Sequence, residues 1–248
     1  MTPALEKLCS ITSSLADKVR RDVLKSPGDS PKKWVVLYWF AKAAKSYEAA
    51  RLLWTNGYWQ DAAAIGRTIL EVSLQALYFR RNPDDLADQF FAHATNQKSK
   101  LFQDLAEFAN DEIKTGIEAY FKQLNIDPTR IKKWKNWWGK DENIWDMVEE
   151  IGAQQTYRSQ YGPLSALVHG APLAFPYYLL DGDRFALVDW KANTPASRQR
   201  ILAATMVSSA PTCLLDVISV FSEIWGLSYE EDLAEARSAV MNFNLEAE

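Results

Sequence analysis

The chain has 248 residues, 48% of them hydrophobic and 24% charged, with a formal net charge of −4. That length and hydrophobic share allow a sizeable core, and only ten glycines and ten prolines disfavour a turn-rich all-β fold. The acidic balance excludes a generic non-specific nucleic-acid binder, so any such binding has to come from a local patch.

The N-terminal stretch MTPALEKLCSITSSLADKVRR carries charges throughout and lacks the apolar run of a signal peptide. No segment is apolar over a length that spans a bilayer. The expectation is a soluble cytoplasmic protein with no membrane association. Cys9 and Cys213 stand far apart, in no metal or redox spacing. Each sits beside apolar residues and is expected to be a small buried hydrophobe.

From residue 31 the pattern is helical. Val36, Phe40, Ala43, Tyr47, Ala50 and Trp54 recur at steps of three and four, which is one face of an α-helix. Ser30-Pro31 predicts its start, with proline at the first helical position, and Asn56-Gly57 predicts its stop. The segment YWQDAAAIGRTILEVSLQALYFRR, uninterrupted to Asn82-Pro83, predicts a second long helix, antiparallel to the first because the connection is short. Helical patterns continue through 84–109, 111–124, 143–157, 163–171, 195–226 and 228–243. Pro211 predicts a kink or a break in a long apolar helix. The one extended piece is RFALVDW, 184–190, after the turn-like Asp181-Gly182-Asp183. The expected fold is a single all-α domain over 1–248: a multi-helix bundle around a long antiparallel pair, with a small irregular or β-like insert near 181–192.

Metal and cofactor motifs are absent. Neither His93 nor His169 follows a glutamate at the Glu-x-x-His spacing, there is no His-Glu-x-x-His or cysteine pair, and phosphate loops and dinucleotide fingerprints are missing. No metal and no cofactor is expected.

Three places carry candidate chemistry. The run RIKKWKNWWGK, Arg130 to Lys140, interleaves five cations with three tryptophans. Lys133, Trp134 and Lys135 there can track a phosphate backbone while an indole stacks on a base. The other reading, favoured by the cost of exposing tryptophan, is that the indoles anchor a short helix to the core. Arg67 and Glu71, one turn apart in the second long helix, fall at the border of its polar sector. An exposed pair in that order is worth only a few tenths of a kcal/mol, so orienting a third group or gripping an anion explains them better. In YGPLSALVHG, Pro163 predicts the start of a two-turn helix. Its Ser165 and His169 lie one turn apart, off one side of an apolar arc of Leu164, Leu167, Val168 and Ala171 that is expected to face the core. A histidine in the last turn is suited to hold and pass a proton or to pair with a phosphate. It can equally act as a cap that fixes the joint.

The segments GRTILEVSLQALYF, SYEAARLLWTNGYWQDAA, WWGKDENIWDMVEEIG and YRSQYGPLSALVHG, in their order along the chain, resemble a widespread bacterial helical family catalogued as a domain of unknown function. Its marks are Arg-x-x-x-Glu and a later Tyr-x-x-x-Ser-x-x-x-His, and the resemblance covers roughly residues 35–235. The helix pair is also distantly similar to the HEPN superfamily of all-α, often dimeric proteins, many of them metal-independent endoribonucleases of toxin–antitoxin and phage-defence systems. Those proteins usually carry an arginine and a histidine only a few residues apart. Here ten residues separate Arg158 from His169, which departs from that pattern.

Two functions follow as expectations. In one, the chain is a metal-independent ribonuclease or phosphate-handling protein acting on RNA or a nucleotide. His169 is then general acid or base, Arg67 or Arg158 stabilises phosphorane charge, Tyr161 and Ser165 position the phosphate or ribose, and Glu71 orients the arginine. In the other, the same residues form a polar clasp in a non-catalytic module that binds a protein partner or a small anionic ligand. A homodimer is expected either way, because so aromatic a helix pair leaves an apolar face to bury.

Overall fold

The computed structural model describes residues 3–25, 28–108, 143–168 and 197–243, with short pieces at 111–112, 115–116, 119, 137–138, 180–181 and 184–185. In chain order the helices are α1 (Pro3–Lys25), α2 (Pro31–Thr55), α3 (Trp59–Phe79), α4 (Pro83–Phe108), α5 (Ile144–Glu150), α6 (Gln154–Thr156), α7 (Gly162–Val168), α8 (Ser197–Trp225) and α9 (Glu230–Met241). A π-helix, Tyr157–Tyr161, joins α6 to α7, and strands β1 (Leu180–Asp181) and β2 (Arg184–Phe185) lie between α7 and α8. The architecture is an all-α bundle. Two compact units make it up: Met1–Arg81 with Val148–Glu248, and Asn82–Met147. No described helix is long and apolar enough to cross a membrane.

The first unit is built on α2, α3 and α8, each packed against the other two. α2 begins as its sequence predicts, with Pro31 in the first turn, but the Ser30 side chain makes no capping bond. The proline's fixed φ suffices to start the helix. The helix stops at Asn56-Gly57 because Gly57 adopts φ 84°, a left-handed conformation that glycine enters without steric cost. Gly57 N–H then donates to the Trp54 carbonyl and Tyr58 N–H to the Leu53 carbonyl, which closes the helix end as a Schellman motif.

α3 is buried nearly all round, through Ala62, Ala63, Gly66, Ile69, Leu70, Val72, Leu74, Ala76 and Phe79 among others, as befits a helix at the centre of a bundle. Trp39 of α2 meets Phe79 edge-on at 5.0 Å, and Phe40 meets Phe221 of α8 at 5.2 Å. α8 runs unbroken through Pro211, so of the kink or break expected there the break does not occur. Proline costs a helix interior about 3 kcal/mol. Four buried neighbours, Ala210, Cys213, Leu214 and Leu215, face the core around it, and a fully buried leucine alone contributes about 1.5–3 kcal/mol. Tertiary burial therefore outweighs the local penalty.

α1 is a finding that sequence periodicity did not supply. Its inward stripe is Leu8, Thr12, Leu15, Val19 and Val23, and the threonine in the middle interrupts the apolar signal. The structure tolerates Thr12 because its hydroxyl bonds back to the Leu8 carbonyl at 3.0 Å. α1 packs on α8, α9 and α2. Its ties to α9 include Lys18 to Asp232 at 2.7 Å.

In the second unit α4 carries Leu86, Ala87 and His93 inward, and Trp137 is buried with its ring 5.7 Å from that of Phe90. One tryptophan of the Arg130–Lys140 run is therefore a core residue. Lys133, Trp134 and Lys135 lie outside the described residues. β1 and β2 pair antiparallel, Leu180 with Phe185 and Asp181 with Arg184. The strands flank the predicted turn in sequence, while 182–183 and 186–192 of the expected insert lie outside the described residues.

Candidate functional site

Arg67 and Glu71 project from the middle of α3 and meet Tyr161 from the π-helix. Arg67 Nη2 donates to the Tyr161 hydroxyl oxygen at 2.8 Å, and Nε donates to Glu71 Oε1 at 3.1 Å. The Tyr161 hydroxyl donates in turn to the same carboxylate oxygen at 3.0 Å, which lies 2.9 Å from Arg67 Nη2. Each of the three side chains thus bonds the other two. The guanidinium carbon also stands 4.9 Å from the Tyr161 ring centroid, within range of a cation–π attraction.

The pair is well withdrawn from water: side-chain exposure is 15% for Arg67 and 28% for Glu71. Taking both charges out of solvent carries a desolvation penalty that their attraction does little more than offset. A half-buried ion pair is therefore a poor source of stability and a good means of fixing orientation. Burial works against the charge on Arg67, but Glu71 and Tyr161 outweigh it and hold the guanidinium above its ordinary pKa. Burial, reinforced by Glu71, pushes the Tyr161 phenol up as well. Both groups hold their protons more firmly than usual, so they can orient and bind an anion but do not exchange protons readily near pH 7.

The π-helix places Tyr161. The sequence predicts a fresh start at Pro163. Instead the chain is helical from Gln154 to Val168, α into π into α. A proline inside a helix lacks the N–H that would bond the carbonyl four residues back, and the π turn lies directly upstream, where the ladder widens. Ser159 Oγ donates to the Gln155 carbonyl at 2.9 Å. Within the π turn the Tyr157 and Tyr161 rings stack at 4.4 Å and 15°. Tyr157 is the residue that sequence reading missed, although its position four before Tyr161 was visible. Its burial raises its phenol pKa, and its ring backs the one that carries the central hydroxyl.

Of the other expected site residues, Ser165 is half-buried on α7, which packs against α3. No described hydrogen bond joins it to Arg67, Glu71 or Tyr161. Arg158, one residue after Tyr157, is exposed. His169 lies outside the described residues, and so does its expected contact with Ser165. Among the described residues, no group of three or more histidine, cysteine, aspartate or glutamate side chains is placed to hold a metal ion. Cys213 is buried as expected, whereas Cys9 is only half-buried.

No curated protein and no solved structure matches the chain. A family model does match, over residues 33–186, a span that begins at α2 and includes α3, the π-helix, α7 and both strands. The matched region ends short of the 235 expected from motif order. It contains Arg67, Glu71 and Tyr161, and on that match the chain belongs to the family of unknown function DUF5677.

Proposed function

We propose that the Arg67–Glu71–Tyr161 cluster is the anion-orienting part of a phosphodiester-cleaving site, and that the chain is a metal-independent endoribonuclease of the toxin or phage-defence kind. The supporting observation is the convergence of three of the five expected catalytic residues, from segments 94 residues apart, in one half-buried hydrogen-bonded cluster. Arg67, kept cationic and fixed in direction, stabilises the charge that builds on phosphorus in the transition state. Glu71 and Tyr161 hold its guanidinium plane. His169, eight residues past Tyr161 in sequence, is the group whose ordinary pKa suits proton transfer, and Ser165 is assigned to position the ribose or phosphate. Arg158, on the same π-helix as Tyr161, is assigned to the phosphate backbone of the substrate.

The test is incubation of the full chain with mixed RNA in EDTA, beside Arg67→Ala and His169→Ala. Cleavage by the wild type and a loss of about a hundredfold or more in each variant are expected. A wild type that leaves RNA intact, or variants that cleave as well as it does, reject the reading. A second reading has its own supporting observation: Glu71 already compensates the Arg67 charge, as in a non-catalytic clasp for a partner or small anion. It expects intact RNA and a lowered melting temperature in Arg67→Ala.

A further inference from the structure

Every bond that Glu71 makes in the cluster ends on one of its two oxygens. Oε1 accepts from Arg67 Nε and from the Tyr161 hydroxyl, and it stands 2.9 Å from Arg67 Nη2. Oε2 accepts no hydrogen bond and joins no ion pair among the described residues. It is not sealed in the core either: the Glu71 side chain keeps 28% of its surface exposed, and Oε2 is not one of the buried oxygens left without a partner. A carboxylate is an acceptor only, with two oxygens and room for about four bonds. Half of that capacity therefore opens to solvent, directly beside a guanidinium held in place.

That juxtaposition selects for a particular ligand chemistry. A bare anion that approaches Arg67 also meets the like charge of the adjoining carboxylate, which cancels much of the attraction. A ligand that offers an anionic oxygen to Arg67 and a hydroxyl to Oε2 turns the repulsion into a charge-assisted hydrogen bond. Ribonucleotides carry these two groups on adjacent ring carbons, as the 2′-hydroxyl and the 3′-phosphate. Deoxyribonucleotides carry the phosphate alone. We propose that Glu71 Oε2 accepts the 2′-hydroxyl of the nucleotide whose 3′-phosphate lies on Arg67, and that this oxygen makes the site select RNA over DNA. The proposal rests on the phosphodiester reading of the cluster and divides the work of one side chain: Oε1 fixes the guanidinium, and Oε2 reads the sugar.

Fluorescence anisotropy on the full chain in EDTA tests it, with a labelled single-stranded RNA and the DNA of the same sequence. The parent chain carries His169→Ala so that the RNA outlasts the measurement. It is expected to bind RNA about tenfold or more tightly than DNA. Glu71→Gln keeps an acceptor for Arg67 and removes the negative charge. This change is expected to weaken RNA binding and tighten DNA binding, lowering the ratio by about threefold or more. A glutamate that served only to hold the fold would weaken both ligands alike and leave the ratio where it was. Equal affinity of the parent for RNA and DNA, or a ratio that Glu71→Gln does not move, overturns the inference. Should Glu71→Gln fail to fold, 2′-O-methyl RNA of the same sequence takes its place on the parent chain. It keeps the 2′ oxygen but has no proton to donate, so it is expected to bind as weakly as DNA; binding as tight as RNA overturns the inference equally. The ribonuclease reading is judged apart, by cleavage in the wild type. RNA that is cut without a Glu71-dependent preference sinks the inference alone, whereas intact RNA with that preference sinks only the catalytic reading.

Discussion

The Tyr161 hydroxyl receives a hydrogen bond from Arg67 Nη2 at 2.8 Å across 94 residues of sequence, and it donates one of its own to Glu71. Tyr161 is therefore the residue through which the π-helix and α3 are tied. Tyr161→Phe keeps the ring and removes both bonds. It is expected to cost about 1–3 kcal/mol, measured by urea unfolding. Arg67→Met combined with Tyr161→Phe should fall short of additivity by about 0.5–3 kcal/mol. Strict additivity would mean that the two side chains are not coupled in solution.

The buried histidine of α4 gives a pH dependence with a definite sign. His93 is 8% exposed, its Nδ1 has no hydrogen-bond partner, and burial lowers its pKa below 6.5. The unfolded chain thus binds more protons than the folded one between that lowered value and 6.5. The contribution of neutral His93 is complete above 6.5 and lost as pH falls through the window. Thermal melts from pH 7.5 to 5 should show a falling midpoint, and His93→Leu should flatten the slope. An equally steep slope in the variant would assign the acid sensitivity to other groups.

Thiol chemistry should separate the two cysteines. Burial pushes the Cys213 thiol up to about 12. Cys9 is raised by burial too, though its side chain is only partly covered. An aromatic disulfide reagent at neutral pH is expected to label Cys9 slowly and Cys213 only on unfolding. Rapid labelling of Cys213 in the folded chain would contradict the packing of α8.

What sequence conveyed here followed from how local the determining physics is. The α2–α3 pair was legible because periodicity, proline and Asn-Gly all act within a few residues. The partial burial of Arg67 and Glu71 was legible because their helix angle sits at the polar border. α1 was not, because Thr12 masks an apolar stripe and satisfies its hydroxyl only through its own backbone. Nor was the passage of α8 through Pro211, where the favourable term is burial against α2 and α3 and no local signal announces it. The π turn escaped for a related reason: Pro163 is a start signal taken alone, and only the packing of α7 on α3 requires the helix to be already under way.

The centre of the core gives a direct measure of that tertiary term. Phe79 has no exposed surface and meets Trp39 edge-on. Phe79→Ala is expected to cost about 3–5 kcal/mol, read from the denaturant midpoint at constant slope. A loss below about 1 kcal/mol would mean that the α2–α3 contact is looser than these rings imply.

The π-helix also sets the rotational phase between the two halves of its segment. A π turn accommodates one residue more than an α turn, so α7 is offset by roughly 100° from where an uninterrupted α-helix would carry it. Leu164, with no exposed surface, faces inward in that offset phase. Deleting one residue between Tyr157 and Tyr161 would heal the ladder and yet turn Leu164 and Ser165 together away from α3. The extra residue therefore works as an angular spacer, and the register of α7 is set by a count of residues rather than by the identity of any one.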